Sequence, residues 1–171
     1  MTAQHTHPTA PHDSQPAALA DRYLEPKGGT LLFNRLVARL TRMGLSVWGS
    51  RELQVVGRRS GEVRTTPVNL LELDGRTYLV APRGQTQWVR NLRAAGGRGG
   101  LRLGRHVDEF RSTEVADADK IDILRAYLRR WKFEVGAFFD GVDASSSDEE
   151  LLAIAPGHPV FVIELTERRG A

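Results

Sequence analysis

Gly57-Arg58-Arg59-Ser60-Gly61-Glu62-Val63-Arg64-Thr65-Thr66-Pro67 joins a strand-like run, Glu52 to Val56, to a second one that begins at Thr65 and continues to Leu73. Two glycines bracket two arginines and a serine. A glycine-flanked turn exposes backbone N–H groups, and Arg58, Arg59, Ser60 and Arg64 add guanidinium forks and a hydroxyl, so the segment suits a phosphate. It lacks the lysine spacing of a P-loop and leads into a strand, not a helix, which excludes the Walker and Rossmann readings on context. Strands joined by a short turn run antiparallel.

Outward from this turn, Asp74-Gly75 is a hairpin signal leading into the largely apolar strand Arg76 to Ala81, with Tyr78, Leu79 and Val80 buried on both faces. Pro82 and Gly84 stop it. Thr86 caps a helix through Arg93 that carries Trp88, Val89 and Leu92 inward, and Gly96, Gly97, Gly99 and Gly100 end it in a non-rigid loop. Leu101 to Arg105 and Val107 to Val115 form two further strands joined near Gly104. A helix starts at Asp117 or Asp119 and runs to about Lys132, with Ile121, Leu124, Leu128 and Trp131 on one stripe. Val135 to Phe139 extends its apolar surface. Ser147 caps a short helix, Asp148 to Ala155, and Pro159 to Thr166 is the closing strand.

The expected architecture is therefore α+β: one domain, with about six mainly antiparallel strands curled into a small barrel, an N-terminal amphipathic helix and two or three further helices. A doubly wound parallel sheet would require βαβ alternation throughout. Residues 1–20 read as a disordered tail, 21–50 as the N-terminal helix region, 51–167 as the barrel domain and 168–171 as a polar tail. In residues 31–45, Leu32, Phe33, Leu36, Val37, Leu40 and Met43 share one arc while Arg35, Arg39 and Arg42 share another. Such a helix packs on the domain or lies on an anionic membrane surface.

At 171 residues the chain has room for one domain with a real core. Its apolar content of 40% and charged content of 26% fit a soluble globular protein, and the uncharged run of about 20 residues that a membrane span needs is absent. There is no cysteine, which excludes disulfides, thiolate metal sites and a cysteine nucleophile. No secretory signal is recognisable, so the expected compartment is the cytoplasm. His5, His7 and His12 fall in the tail, and no metal site is expected.

The net charge of +3 hides an asymmetry: 21 arginines stand against 3 lysines, and from Arg51 to Arg111 there are twelve arginines against six acidic residues. Arginine grips phosphate and carboxylate with two parallel hydrogen bonds, so an anionic small-molecule partner is expected in that region. The arginines are not interleaved with stacking aromatics, which argues against nucleic acid.

The ordered set Gly57-Arg-Arg-Ser-Gly61, Arg64-Thr-Thr-Pro67, Asp74-Gly75, Tyr78-Leu-Val-Ala-Pro82 and Trp88-Val-Arg-Asn-Leu92 resembles the deazaflavin-dependent nitroreductase family, split-barrel oxidoreductases that bind coenzyme F420. Pro159-Val-Phe-Val-Ile-Glu164 looks like that family's last strand, so the resemblance spans roughly residues 30 to 166. It implies that Arg58, Arg59, Ser60 and Arg64, beside Thr66 and Pro67, grip the coenzyme's phosphate and glutamyl tail. Val80, Ala81 and Pro82, with Arg83 and Gly84, would lie along the deazaflavin ring, and Trp88 and Asn91 would close the pocket. The activity implied is hydride transfer from reduced coenzyme to a small acceptor, with the cofactor carrying the chemistry. No Ser/His/Asp arrangement stands in a catalytic motif, and His106 and His158 are expected at the surface.

The chain departs from the family pattern in two places. Nitroimidazole-reducing members carry tyrosines after the long helix, whereas Trp131 to Gly141 offers Trp131, Phe133, Phe138 and Phe139 but no tyrosine. Trp131 and Phe138 are the acceptor-side candidates, and no catalytic residue is assigned. The loop from Arg83 to Trp88 is also short. An aromatic acceptor side suits a quinone-like or nitroaromatic substrate, and a lipid-dissolved quinone suits peripheral membrane contact through residues 31–45. Flavin mononucleotide (FMN) in the same barrel, or a non-catalytic cofactor- or lipid-binding protein of the same fold, are the alternatives.

Overall fold

The computed structural model describes residues 50–166, apart from the side chains of 132–134. The terminal segments 1–20 and 168–171, the helix expected over 21–50 and the proposed membrane contact over 31–45 lie outside the described residues, except that Ser50 opens the first strand. The elements in chain order are β1 (Ser50–Val56), β2 (Val63–Leu73), β3 (Arg76–Val80), α1 (Gln87–Ala94), β4 (Arg98–Leu103), β5 (His106–Glu114), α2 (Ile121–Val135), α3 (Asp148–Ile154) and β6 (Val160–Leu165). Short 3-10 turns occupy Asp117–Asp119, Gly136–Phe138 and Ala155–Gly157.

The six strands close into a barrel in the order β1-β2-β3-β6-β5-β4, and every pairing is antiparallel. The α+β barrel expected from the pattern of hairpins is the observed architecture. The β2–β3 turn has Asp74 at φ 51° and Gly75 at φ 72°, the left-handed pair that a two-residue hairpin requires.

Strand alternation splits the apolar residues into two cores. Inside the barrel, Leu53, Val55, Val68, Leu79, Leu101, Phe110, Phe161 and Ile163 meet Val89 and Leu92, so α1 plugs one end of the barrel. Outside it, Leu71, Tyr78, Val80 and Val160 face Leu124, Tyr127, Leu128 and Trp131 of α2 and Leu151 and Ile154 of α3. Tyr78, Leu79 and Val80 are all buried, as expected for a strand covered on both faces. The Ser147 side chain and Glu150 form a reciprocal cap at the start of α3.

The glycine-rich stretch corrects the sequence reading. Only Gly96 and Gly97, at φ 62° and 77°, form the turn after α1; Gly99 and Gly100 belong to β4 and pair with Phe110 and Glu109. A Cβ on Gly99 would stand 2.7 Å from Cζ of Phe110. Glycine here makes room for a core ring rather than breaking the strand. The long helix also begins later and ends later than expected, at Ile121 and Val135, with a kink at Trp131. His158, expected at the surface, is fully buried and stacks on Phe139 with ring centroids 4.1 Å apart.

Candidate active site at the β1–β2 turn and helix α1

The turn between β1 and β2 is closed by its own backbone: Gly57 N–H donates to the Glu62 carbonyl and Gly61 N–H to the Gly57 carbonyl, both at 2.8 Å. Gly61 takes φ +71°, and a Cβ on Gly57 would lie 2.8 Å from the Ser60 hydroxyl. The left-handed φ favours glycine at Gly61, and Gly57 leaves room for the Ser60 side chain. The Ser60 Oγ accepts from Glu62 N–H at 3.3 Å and Arg64 Nη2 at 3.4 Å, while Arg64 pairs with Glu62 at 2.9 Å in an exposed contact. Arg59 is exposed.

Arg58 is the side chain that ties this turn to the helix. Its Nη1 donates to Gln87 Oε1 and to Asn91 Oδ1, each at 2.9 Å, and its backbone N–H donates to the same Asn91 oxygen at 3.3 Å. Gln87 and Asn91 are four residues apart and therefore neighbours on one face of α1. Val89 and Leu92 bury the opposite side in the barrel, and half-buried Trp88 leans on Phe161 with centroids 5.9 Å apart.

Between β3 and α1 the chain turns tightly. Ala81 N–H donates to the Pro159 carbonyl at 2.9 Å, Gly84 N–H to Ala81 at 3.1 Å and Thr86 N–H to Gly84 at 2.7 Å, with Gly84 at φ 76°. Val80 and Ala81 are buried, each in a different core, so neither side chain is open to a ligand. Pro82 and Arg83 are half-buried, and the Arg83 guanidinium carbon lies 5.6 Å from the centre of the Phe138 ring. The strand end and one acceptor-side candidate are thereby brought together.

The other candidates separate. Thr66 pairs with Leu53 and Pro67 with Glu52, so the two side chains point to opposite faces of the sheet. Trp131 is 2% exposed, packed in the outer core with Tyr127 at 4.8 Å between rings and Arg130 stacked on it at 4.9 Å. Trp131 is thus a core residue and presents no surface to a ligand. Phe138 is half-buried and remains near the strand end.

Residues missed from the sequence complete the arrangement. Arg93 makes a two-pronged ion pair with Glu114 of β5, Nε to Oε2 at 2.7 Å and Nη2 to Oε1 at 2.5 Å, and its Nη1 donates to Gln85 Oε1 at 2.5 Å. The hydrogen bonds to Glu114 raise the Arg93 pKa above its ordinary value; burial pulls the other way and the carboxylate charge adds to the rise. Gln87 was legible as the i−4 partner of Asn91; Gln85 and Glu114 carry no motif and come together only through the barrel.

A polyanion needs convergent cationic donors without competing carboxylates. Arg58, Arg59, Arg64 and Ser60 lie on or beside one turn; its acidic residue, Glu62, pairs with Arg64, whereas Arg58 is held by neutral amide oxygens. The donor set fits a phosphate-bearing cofactor tail, and the backbone edge at Ala81–Gly84 fits a flat heterocycle. Among the described residues, no cluster of three or more His, Asp or Glu could hold a metal ion.

A family model described as F420H(2)-dependent quinone reductase matches residues 39–138. No curated protein sequence matches the chain. A solved structure described as a domain-swapped dimer is 15% identical, with 80% of this chain and 96% of that one covered at a TM-score of 0.50, a likeness of fold. An F420-H2 dependent reductase (FDR-A) is 16% identical, with 68% and 94% covered and a TM-score of 0.47. A FAD-binding protein from Mesorhizobium loti is 14% identical, with 77% and 89% covered and a TM-score of 0.44.

Proposed function

The chain belongs to the F420H(2)-dependent quinone reductase family, and from that premise we propose that it transfers a hydride from reduced coenzyme F420 to a quinone-like or nitroaromatic acceptor. The observation that carries this reading is the Arg58 bridge from the glycine turn to Gln87 and Asn91, which holds a guanidinium against the face of α1. When bound, the reduced deazaflavin supplies the hydride from its ring carbon.

The chain's own residues supply grip, orientation and a dry wall. Arg58, Arg59, Ser60 and Arg64 bind the anionic tail, and Asn91 acts through Arg58, holding the guanidinium at the site instead of touching ligand itself. The backbone of Ala81 to Gly84 orients the ring. Trp88 covers it from α1, and Phe138 with Arg83 borders the acceptor side. The Arg83 cation, over the Phe138 ring, would stabilise negative charge that develops on an acceptor oxygen bound there. Flat, lipophilic acceptors match the aromatic border.

FMN in the same place is a second reading, favoured by the fact that the guanidinium turn suits any phosphate. Titrating both cofactors against intrinsic tryptophan fluorescence separates the two. Monitoring loss of reduced coenzyme with menadione and with a nitroaromatic tests turnover: acceptor-dependent oxidation supports the enzyme, and its absence leaves a cofactor-binding protein. Peripheral membrane contact through the basic, apolar pattern of residues 31–45 belongs to the same proposal. Flotation with anionic liposomes is expected to carry the protein upward, and protein left at the bottom removes that part.

A further inference from the structure

Arg93 lies on the flank of α1 away from the guanidinium turn, in none of the motifs that point to cofactor binding, yet it holds three elements at once. Two of its nitrogens bind both oxygens of Glu114 on β5, and the third donates to Gln85, a buried amide in the connection between β3 and α1. Ala81 N–H ties the start of that connection to the Pro159 carbonyl, and beyond it the backbone makes short-range turns, Gly84 onto Ala81 and Thr86 onto Gly84. Beyond Ala81 these turns set local shape, and side-chain contacts such as that of Gln85 with Arg93 help to place the segment against the barrel.

We propose that Arg93 is a positioning residue: braced by Glu114, it fixes Gln85 and with it the Ala81–Thr86 segment along which the cofactor ring is to lie. The inference rests on the cofactor reading above. A planar guanidinium is needed, because one rigid fork satisfies the carboxylate and the amide oxygen together; an ammonium supplies a point charge with no such fixed directions. Glu114 sets the direction of the fork, and its two oxygens leave Nη1 aimed at Gln85. The consequence for catalysis is geometric, since a displacement of about 1 Å at a reacting centre costs on the order of a hundredfold in rate.

The test uses the full chain and three variants, Arg93→Lys, Gln85→Leu and Gln85→Glu. Amide hydrogen exchange on the ligand-free protein reads the segment itself: Arg93→Lys and Gln85→Leu should speed exchange at Gly84 and Thr86 about tenfold, with the β1–β2 pairing unchanged. With coenzyme F420, both should weaken binding about three- to tenfold and slow single-turnover oxidation by menadione at saturating coenzyme more than they weaken binding. Gln85→Glu keeps the acceptor oxygen and should behave as wild type in all three measurements. Wild-type exchange and wild-type single-turnover rates in Gln85→Leu would overturn the proposal. If Gln85→Leu unfolds, exchange in Arg93→Lys decides: wild-type exchange at Gly84 and Thr86 there also overturns it. Failure of the wild-type protein to bind coenzyme F420 would strike the cofactor reading instead and leave the exchange result to stand by itself.

Discussion

The Arg58 Nη1 on the β1–β2 turn stands 2.9 Å from Oδ1 of Asn91 on α1, and the Arg58 backbone N–H donates to the same oxygen, so two hydrogen bonds join a loop residue to a helix residue 33 positions away. Asn91 is 6% exposed and Arg58 is exposed, and the buried member sets the direction of the exposed one.

Asn91→Ala should therefore weaken coenzyme affinity without any loss of ligand contact. It removes an acceptor that receives both the guanidinium and the backbone N–H of Arg58, and a hydrogen bond to a charged group is worth about 1.5–3 kcal/mol. The expected result is a Kd about three- to tenfold higher by fluorescence titration, with Asn91→Asp retaining more affinity than Asn91→Ala.

Gly99→Ala should destabilise the barrel. The new methyl would meet the Phe110 ring at 2.7 Å, and overpacking of this kind costs about 1–3 kcal/mol. Gly97→Ala should be worse, because Gly97 is at φ +77° and its Cβ would lie 2.2 Å from the Ser112 carbonyl oxygen. Urea unfolding of both variants is the check, with a lower midpoint for Gly99→Ala and a lower one still, or no folded protein, for Gly97→Ala.

The Arg93–Glu114 pair should contribute a pH-independent increment through the neutral and mildly alkaline range. Arg93 has a raised pKa in the folded protein, so its contribution is fully present below the unfolded arginine value and is lost only as pH climbs through the still higher folded one. The pair is partly exposed, and its worth is about 1 kcal/mol or less. The difference in Tm between wild type and Arg93→Met should stay constant from pH 7 to pH 10; a difference that shrinks across that window would contradict the assignment.

Phe138 and Trp131 should respond differently to truncation. Phe138→Ala opens the acceptor side and removes the ring under Arg83, so KM for menadione should rise several-fold while coenzyme affinity holds. Trp131→Ala empties a position that is 2% exposed and should cost about 3–5 kcal/mol of stability, seen in thermal unfolding before any kinetic effect. Equal behaviour of the two variants would mean that Phe138 is also only a core residue.

The barrel was legible in the sequence because its hairpins carry strong local chemistry: Asp74-Gly75 for the β2–β3 turn, and Gly57 and Gly61 for the turn before β2. What local patterns hid are features decided across the barrel. Gly99 reads as a breaker until Phe110 is seen opposite, and His158 reads as exposed until Phe139 covers it. At the site, Arg58 and Asn91 were visible as a charged turn and a helix residue, but their hydrogen bond is a tertiary fact. The family resemblance implies ring contacts at Val80 and Ala81; strand alternation hides both side chains in opposite cores. Arg93, Glu114 and Gln85 lie 8 to 29 residues apart, and no periodicity links them.

Equilibrium titration of coenzyme F420 into the wild-type protein and into the Arg58→Ala, Arg59→Ala double variant, followed by tryptophan fluorescence with FMN run in parallel, bears on the whole assignment. The guanidinium turn predicts saturable coenzyme F420 binding tighter than FMN, weakened more than tenfold in the double variant, as expected when charge-assisted hydrogen bonds of about 1.5–3 kcal/mol each are lost. Equal affinity in the two proteins, or FMN binding with no response to coenzyme F420, would contradict it.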